Sequence, residues 1–567
     1  MAFSVPKQLR FLKGYRCPAL FDVDLNDVDL EQALQGLYFR VRSRGAVWKL
    51  PKREQTVLEY AKLVSQRRHC ELSVEHGDLW LADWMRAGVL SIGRKGRRRV
   101  GEQIQFVRPL HYLASKAPFR STLYRRVHHF VYEALRQFRC PPDGRGARQT
   151  YLHVLFEKAI GQGVKYGGGP KHDGEYVGAE DLDIEQVLCL LLLENVEPAR
   201  AAARGHESEP PALPQLSDRM ANDLLLFMES YRSLLPARTQ IRMWLALISL
   251  HLTAYTRTMF DLAPRVVKEN RWPAAPDVQV PACYFDFTEE PTGQSVRMAC
   301  ECYRRDLDLI SEYLELALRV RLLDEFHRQI VGKRPRELSQ PEYLNILLGH
   351  QASPELNVWA GLLIRELKQV GAISGEELDA AVDRWRARAG ERIAQFAGLI
   401  DALHRLQHST AATNAGKWLR DVAGLNRDYG CLTGSSGAGK RWYTLNRTAL
   451  AAVVYLAAVA THAEWEENTP AEPRPIRLAD FLRFLEQRFG IFVDRPPEWL
   501  DSAEGRAAAR ANLDAFKRRL RQAGFFRAMS DDFTAQYVEV PIGAVRQRRC
   551  SSSSVDRAAI PVSRTDA

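Results

Sequence analysis

The sequence predicts a mainly α, multi-domain protein with small β-hairpins. Three observations carry this. Apolar residues recur at three- and four-residue steps through most of the chain, as on one face of a helix. Strand-like runs are few and short, and they follow helices directly. Breakers rich in Pro, Gly and charge fall at wide intervals, so the helical stretches between them are long. The chain has 567 residues, 46% apolar and 26% charged, enough for several ordinary cores and in the balance of a globular protein.

A basic N-terminal domain is expected over 1–196. In it, LADWMRAGVLSIGRKGRRRVGEQIQFV (81–107) reads as a helix followed by two short strands around a turn. FRSTLYRRVHHFVYEALRQFRC (119–140) reads as a helix whose buried stripe is Leu123, Val127, Phe130, Ala134 and Phe138. VLCLLLLENVE (187–197) reads as a buried helix. EPARAAARGHESEPPALPQ (197–215) lacks amphipathic continuity and reads as a linker.

A helical middle domain is expected over 216–408. ECYRRDLDLISEYLELALRVRLLDEFHRQI (301–330) places Leu307, Ile310, Tyr313, Leu314, Ala317 and Val320 on one face of a single helix. Ser374 followed by Glu377 reads as a capping box opening a helix that extends to His404. A second helix–hairpin unit is expected over 409–466, with AGKWLRDVAGLNRDYGCLTGSSGAGKRWYTLN at 415–446. Behind it, ALAAVVYLAAVA (449–460) is too short and alanine-rich for a membrane span and reads as a buried helix. A third unit is expected over 476–545. It contains the amphipathic helix RLADFLRFLEQRFG, ended by Gly490, and the helix–hairpin FKRRLRQAGFFRAMSDDFTAQYVEVPI (516–542). The tail 546–567, with SSSS at 551–554, is expected to be disordered. Helix then hairpin is how a winged-helix module ends, with its last helix placed for the major groove and the hairpin along the backbone.

Charge is concentrated at one end. The chain carries a net +11, but residues 1–150 hold 28 Lys+Arg against 14 Asp+Glu, a net +14, and the remainder holds −3. Residues 86–148 alone hold 15 basic and 3 acidic side chains. Such a field favours a polyanion, and DNA is the expected partner. The candidate contacts are Arg94, Lys95, Arg97, Arg98 and Arg99 in IGRKGRRRVG, where so many cations in one turn repel one another until a polyanion neutralises them. Arg125, Arg126, Arg136 and Arg139 join them from the 119–140 helix, where His129 and Tyr132 share a second face that could follow a backbone or stack on a base. His128 and His129 are adjacent, diverge on a helix and make a poor metal pair.

GSSGAGKR (434–441) fits the phosphate-loop spacing G-x-x-x-x-G-K, but Arg441 stands where the magnesium-binding hydroxyl belongs. Upstream LNRDYGCLT is a poor buried strand, and downstream RWYTL is aromatic and β-prone. The stretch therefore reads as a hairpin tip, with Lys440 and Arg441 at its base as phosphate contacts of a nucleic acid. Two acidic clusters are candidates for metal chemistry: Asp22, Asp24, Asp27, Asp29 and Glu31, and His172, Asp173, Glu175, Glu180, Asp181, Asp183 and Glu185. Neither has the strand-borne Asp and Glu-x-Lys spacing of a metal nuclease, and polar turns explain both. No catalytic residue, metal site or cofactor is expected. The nine cysteines contain no C-x-x-C pair and read as free thiols of a reducing cytoplasm. No membrane span and no secretory signal are read.

RWYTLNRTALAAVVYLA, IRLADFLRFLEQRFGIFVDRPP and FKRRLRQAGFFRAMSDDFTAQYV together resemble the C-terminal part of an accessory component of the methylation-associated anti-phage defence system, over 417–541. The resemblance implies a cytoplasmic bacterial protein acting beside a methyltransferase, an ATPase and a nuclease supplied by other subunits. It carries over no active-site residue. The function expected is a non-enzymatic DNA-binding or scaffolding subunit of a defence assembly. The rivals are a metal-dependent nuclease using the carboxylates near 172–185, and a pure protein-interaction scaffold.

Overall fold

The computed structural model describes residues 5–48, 56–65, 77–93, 103–117, 124–140, 144–167, 174–177, 182–194, 201–204, 209–334, 338–435, 438–461, 470–528 and 536–541. Helix α1 (Leu30–Arg42) is opened by Asp29, whose carboxylate accepts the Gln32 amide at 3.1 Å, as an N-cap should. After β1 (Ala46–Trp48), helices α2 (Val57–Ser65) and α3 (Gly77–Trp84) pack together. A single π-turn over Met85–Val89 then turns the chain into β2 (Leu90–Gly93), which pairs antiparallel with β3 (Gln103–Val107). The first expected hairpin is thus present.

Next come α4 (Val127–Gln137), α5 (Arg145–Ile160), the hairpin β4 (Val164–Tyr166) with β5 (Gly174–Tyr176), and the leucine-rich α6 (Ile184–Glu194). Val127, Phe130, Ala134 and Phe138 are buried as their spacing requires; Leu123 lies outside the described residues. His129 and Tyr132, expected on a second, outward face, are buried too, because α4 is packed by α1 on one side and by α7 (Pro214–Tyr231) on another. Within the stretch read as a linker, β6 (Ala201–Arg204) pairs with β1.

The hub is α8 (Ala237–Glu269), 33 residues long and buried over most of its length. Trp244 Nε1 on α8 donates to the Leu224 carbonyl of α7 at 2.9 Å. Following β7 (Cys283–Tyr284), the stretch expected as one helix forms two, α9 (Gln294–Asp308) and α10 (Ile310–Phe326). The break at Leu309 lets α10 pack along α8 while α9 packs chiefly on the strand Arg441–Tyr443 and the helix Ala503–Gln522, a choice that apolar spacing alone does not reveal. Then follow α11 (Gln340–Gly349), α12 (Pro354–Gln369), α13 (Gly375–Ala389) and α14 (Glu391–Val422), the last two forming a tight antiparallel pair. The helix opened at Ser374 does not reach His404. It stops at Gly390, whose φ of 81° no helical residue adopts. Ser374 stands at the N-cap but makes no side-chain cap bond; the capping box is instead formed by Ser339 and Glu342 at the start of α11.

Strands β8 (Leu432–Gly434) and β9 (Arg441–Tyr443) form the second hairpin, and α15 (Arg447–Ala460) is buried as expected. The C-terminal unit runs β10 (Ile476–Arg477), α16 (Leu478–Phe489), β11 (Ile491–Phe492), α17 (Ala503–Gln522), β12 (Phe526–Ala528) and β13 (Gln536–Val538). Helix α16 ends at Gly490, and β10, β13 and β12 form an antiparallel sheet in that order. This unit is tied to the body. β11 pairs parallel with β7, and Asn512 of α17 bonds the Phe285 carbonyl at 2.8 Å, the Phe287 amide at 2.6 Å and the Val493 carbonyl at 3.0 Å. Arg488 clamps the fully buried Asp223 of α7 with two hydrogen bonds.

With seventeen α-helices and no sheet beyond three strands among the described residues, the fold is mainly α. One continuous apolar core runs from Leu9 to Val538. No described helix is long and apolar enough to cross a membrane, and Cys17, Cys189, Cys283, Cys300, Cys302 and Cys431 are free thiols.

Candidate functional site: an arginine-lined cleft

Three chain segments far apart in sequence converge on one polar hollow of about 730 Å³. The start of α1 supplies Asp29 and Glu31. The root of the first hairpin supplies Arg86, Leu90, Ser91, Ile92 and Arg108. The end of α14 and the second hairpin supply Arg420, Asp421, Arg427, Tyr429 and Arg441. A smaller hollow of about 200 Å³ shares Glu31, Arg108 and Tyr429 and adds Glu185, Arg238, Arg242 and Asp428. Shared walls make the two hollows one groove.

Its arginines divide into two sets. Arg420 Nε sits 2.6 Å from Asp421 Oδ1, Arg238 bridges Asp183 at 2.7 Å and Glu185 at 2.5 Å, Arg86 pairs with Asp83, and Arg242 pairs with Asp428. Among the described residues, no carboxylate lies within ion-pair distance of Arg108, Arg427 or Arg441. Arg441 Nε is buried without a hydrogen-bond partner. Guanidinium groups left in this state suit a ligand with anionic oxygens, which they bind in bidentate fashion.

Two carboxyls of the groove, Asp29 and Glu31, are biased toward their neutral form. Burial pushes the Asp29 carboxyl up, against the pull of the Gln32 amide and of Arg427. Burial also raises Glu31, and the neighbouring Asp29 charge adds to it, while Arg108 and Arg427 oppose. A carboxyl that takes up a proton more readily than usual opposes an incoming anion less as pH falls.

The candidate contacts read from sequence fall in different places. Arg94, Lys95, Arg97, Arg98 and Arg99 lie outside the described residues, in the segment joining β2 and β3 whose root lines the groove. Arg125 and Arg126 face inward to the first acidic cluster. Arg125 bonds the Asp27 carbonyl at 2.8 Å and its carboxylate, and Arg126 grips Asp22 with bonds of 3.0 and 2.6 Å. Arg136 is bonded to Glu133 at 2.9 Å, and Arg139 lies over the Phe138 ring at 5.1 Å. Lys440 is exposed and Arg441 enters the groove.

The glycine-rich stretch is a hairpin. β8 ends at Gly434 and β9 begins at Arg441, and the following helix opens only at Arg447. Gly434 has φ 123°, and a Cβ there would meet the Lys440 carbonyl at 2.0 Å, so only glycine closes this turn.

Of the second acidic cluster, His172, Asp173, Glu180 and Asp181 lie outside the described residues, Glu175 is exposed on β5, and Asp183 and Glu185 are paired with Arg238. Among the described residues no three His, Cys, Asp or Glu side chains are grouped to hold a metal ion. Sequence reasoning missed Arg86, Arg108, Arg420 and Arg427. Each is an isolated basic residue in its own stretch, and only the fold gathers them.

The sequence profile of one family, described as Methylation-associated defense system protein MAD7, matches residues 10–541. The chain belongs to that family. The likeness read over 417–541 therefore extends across nearly the whole chain, and membership of the family makes this a component of a methylation-associated defence system. The groove is built entirely from residues inside the matched span. No curated protein matches the chain.

Proposed function

We propose that this defence-system component is a non-enzymatic subunit that binds DNA through the arginine-lined groove, continued by the basic segment between β2 and β3. The observation that carries the reading is the unpaired set Arg108, Arg427 and Arg441 in a polar hollow at the root of a hairpin whose turn reads GRKGRRRVG. Two sources of positive charge, one read from sequence and one assembled by the fold, then serve one polyanion. Lys440 extends the same edge.

The C-terminal unit supports a complementary docking role. Its order from α15 onward is helix, strand, helix, strand, helix, strand, strand, with the first strand pairing the last; leaving out β11, which pairs with β7 instead, this matches the order of a winged helix. The segment joining its last two strands reads MSDDFTA, with two adjacent aspartates. That charge disfavours a phosphate backbone and favours a basic protein surface, so this unit is assigned to partners within the defence system.

Fluorescence anisotropy of a labelled DNA duplex, titrated with full-length protein across salt concentrations, tests the DNA reading. Binding is expected to weaken steeply with salt. Arg108→Glu with Arg427→Glu and Arg441→Glu should reduce affinity at least about tenfold and flatten the salt slope. Its melting temperature, measured alongside, checks that the triple variant remains folded, since these side chains form no ion pair among the described residues but Arg108 and Arg427 do face Asp29 and Glu31. Absence of binding at low salt, or an unchanged slope in the triple variant, sinks the reading.

A further inference from the structure

We propose that the outer face of α3 is a stacking platform for an unpaired nucleic-acid strand, with Trp80 and Trp84 each taking a base. The proposal rests on the DNA-binding reading above and specifies the form of nucleic acid it prefers.

Four described tryptophans, Trp244, Trp272, Trp359 and Trp418, are buried, and Trp499 is 42% exposed. Trp244 and Trp418 are fully enclosed, and their indole N–H groups donate to the Leu224 carbonyl at 2.9 Å and to Thr256 at 3.1 Å. Trp80 and Trp84 are instead 63% and 55% exposed, the most exposed tryptophans among the described residues. Scattered single apolar side chains on a surface need no explanation, but two of the largest rings on one turn of one helix do. Leu81, Ala82 and Met85 occupy the inner side of this segment, so the tryptophans cannot rotate inward without emptying the core.

Helical geometry sets the spacing. Residues four apart lie on the same face, separated by about 6 Å along the axis. That distance gives successive rings separate aromatic faces at close to two stacking steps of nucleic-acid bases, each about 3.4 Å. The residue between them on this face, Asp83, is paired with Arg86 and so presents little net charge to a strand. Arg86 also lines the groove, so the phosphate-binding wall begins two residues after Trp84.

In a duplex, bases are stacked on one another and closed to side chains except at groove edges. An unpaired strand exposes its faces, and sequence-tolerant binders combine a cationic track with such aromatic platforms. Leu79, beside Trp80, is 49% exposed as well, and the charge decides between an apolar protein surface and nucleic acid: Arg86, two residues after Trp84, lines the arginine groove.

The test uses full-length protein and one labelled mixed-sequence DNA oligonucleotide, as a single strand and as its duplex, at low salt. Trp80→Ala with Trp84→Ala should weaken single-strand binding at least about tenfold and change duplex binding by less than about twofold. Trp80→Phe with Trp84→Phe should retain most of the single-strand affinity, since phenylalanine keeps an aromatic face. Equal loss on both forms, no loss on the single strand, or failure of the phenylalanine pair to rescue would overturn the proposal. Wild-type protein that binds the duplex but not the single strand would overturn it and leave the groove reading standing. Wild-type protein that binds neither form removes both.

Discussion

Arg126 stands in a basic stretch and Arg427 is isolated in its own, and the fold gives them opposite surroundings. Arg126, on the N-cap of α4, is locked by two hydrogen bonds onto Asp22, a carboxylate 5% exposed. Arg427, in the loop after α14, is exposed at the lip of the groove and forms no ion pair among the described residues. The difference lies in what each meets in space. The acidic run 21–31 is adjacent to α4 in the fold, so its carboxylates neutralise Arg16, Arg125 and Arg126 locally. The groove arginines come from separate segments, and three of them, Arg108, Arg427 and Arg441, form no ion pair among the described residues. A basic cluster in sequence is therefore a poor guide to free positive charge, and isolated basic residues brought together by folding are a better one.

The comparison can be broken at its most buried end first. Arg257, 3% exposed, pairs with Asp306 at 2.8 Å, and the Tyr443 hydroxyl donates to the same carboxylate at 2.8 Å. Arg257→Ala leaves that carboxylate unneutralised in the core and should cost about 3–5 kcal/mol of stability, read from urea unfolding. A loss below about 1 kcal/mol would show that a buried arginine here is not structural.

Arg126→Ala comes next. Removing a charged hydrogen-bond partner from Asp22 should cost about 1.5–3 kcal/mol, while DNA affinity stays within about twofold of wild type. Affinity that fell while the melting temperature held would move Arg126 into the binding set and dissolve the contrast with Arg427.

The smallest effect concerns pH. Asp29 and Glu31 have carboxyls raised by burial, so they stay protonated to higher pH than the ordinary carboxylate near 4. A polyanion in the groove favours their neutral form further, so binding takes up protons. DNA affinity should therefore fall as pH rises above the ordinary carboxylate range, by a few-fold in total. Glu31→Gln removes one of the two titrations and should flatten the profile; a profile identical to wild type would remove Glu31 from the groove's electrostatics.

Much of the fold was legible because its signals are local. The buried helix at 449–460, the stop at Gly490 and the hairpins after the first two helix–hairpin runs each depend on a few neighbouring residues. The split at Leu309 and the stop at Gly390 were not legible, since each is decided by which distant helix the chain must pack on. Ser374 was placed correctly at a helix start, but its hydroxyl did not make the cap bond that the motif promised. The groove was the least legible feature. Arg441 was singled out for its neighbourhood in GSSGAGKR, whereas Arg108 and Arg427 carry no sequence signal. They join Arg441 only because α1, the first hairpin and the turn after α14 share one wall.

Asn512 bears on how the chain is made. One amide side chain satisfies three backbone groups, two of them more than two hundred residues earlier in the chain. The parallel pairing of β7 with β11 spans a similar separation. Contacts of such long sequence separation form only after the entropy of closing a large loop has been met. During synthesis, the strand Cys283–Tyr284 therefore waits unpaired until the last fifth of the chain leaves the ribosome. Truncation before Ile491 strands that edge, and the expected product is an aggregation-prone intermediate that calls on chaperones.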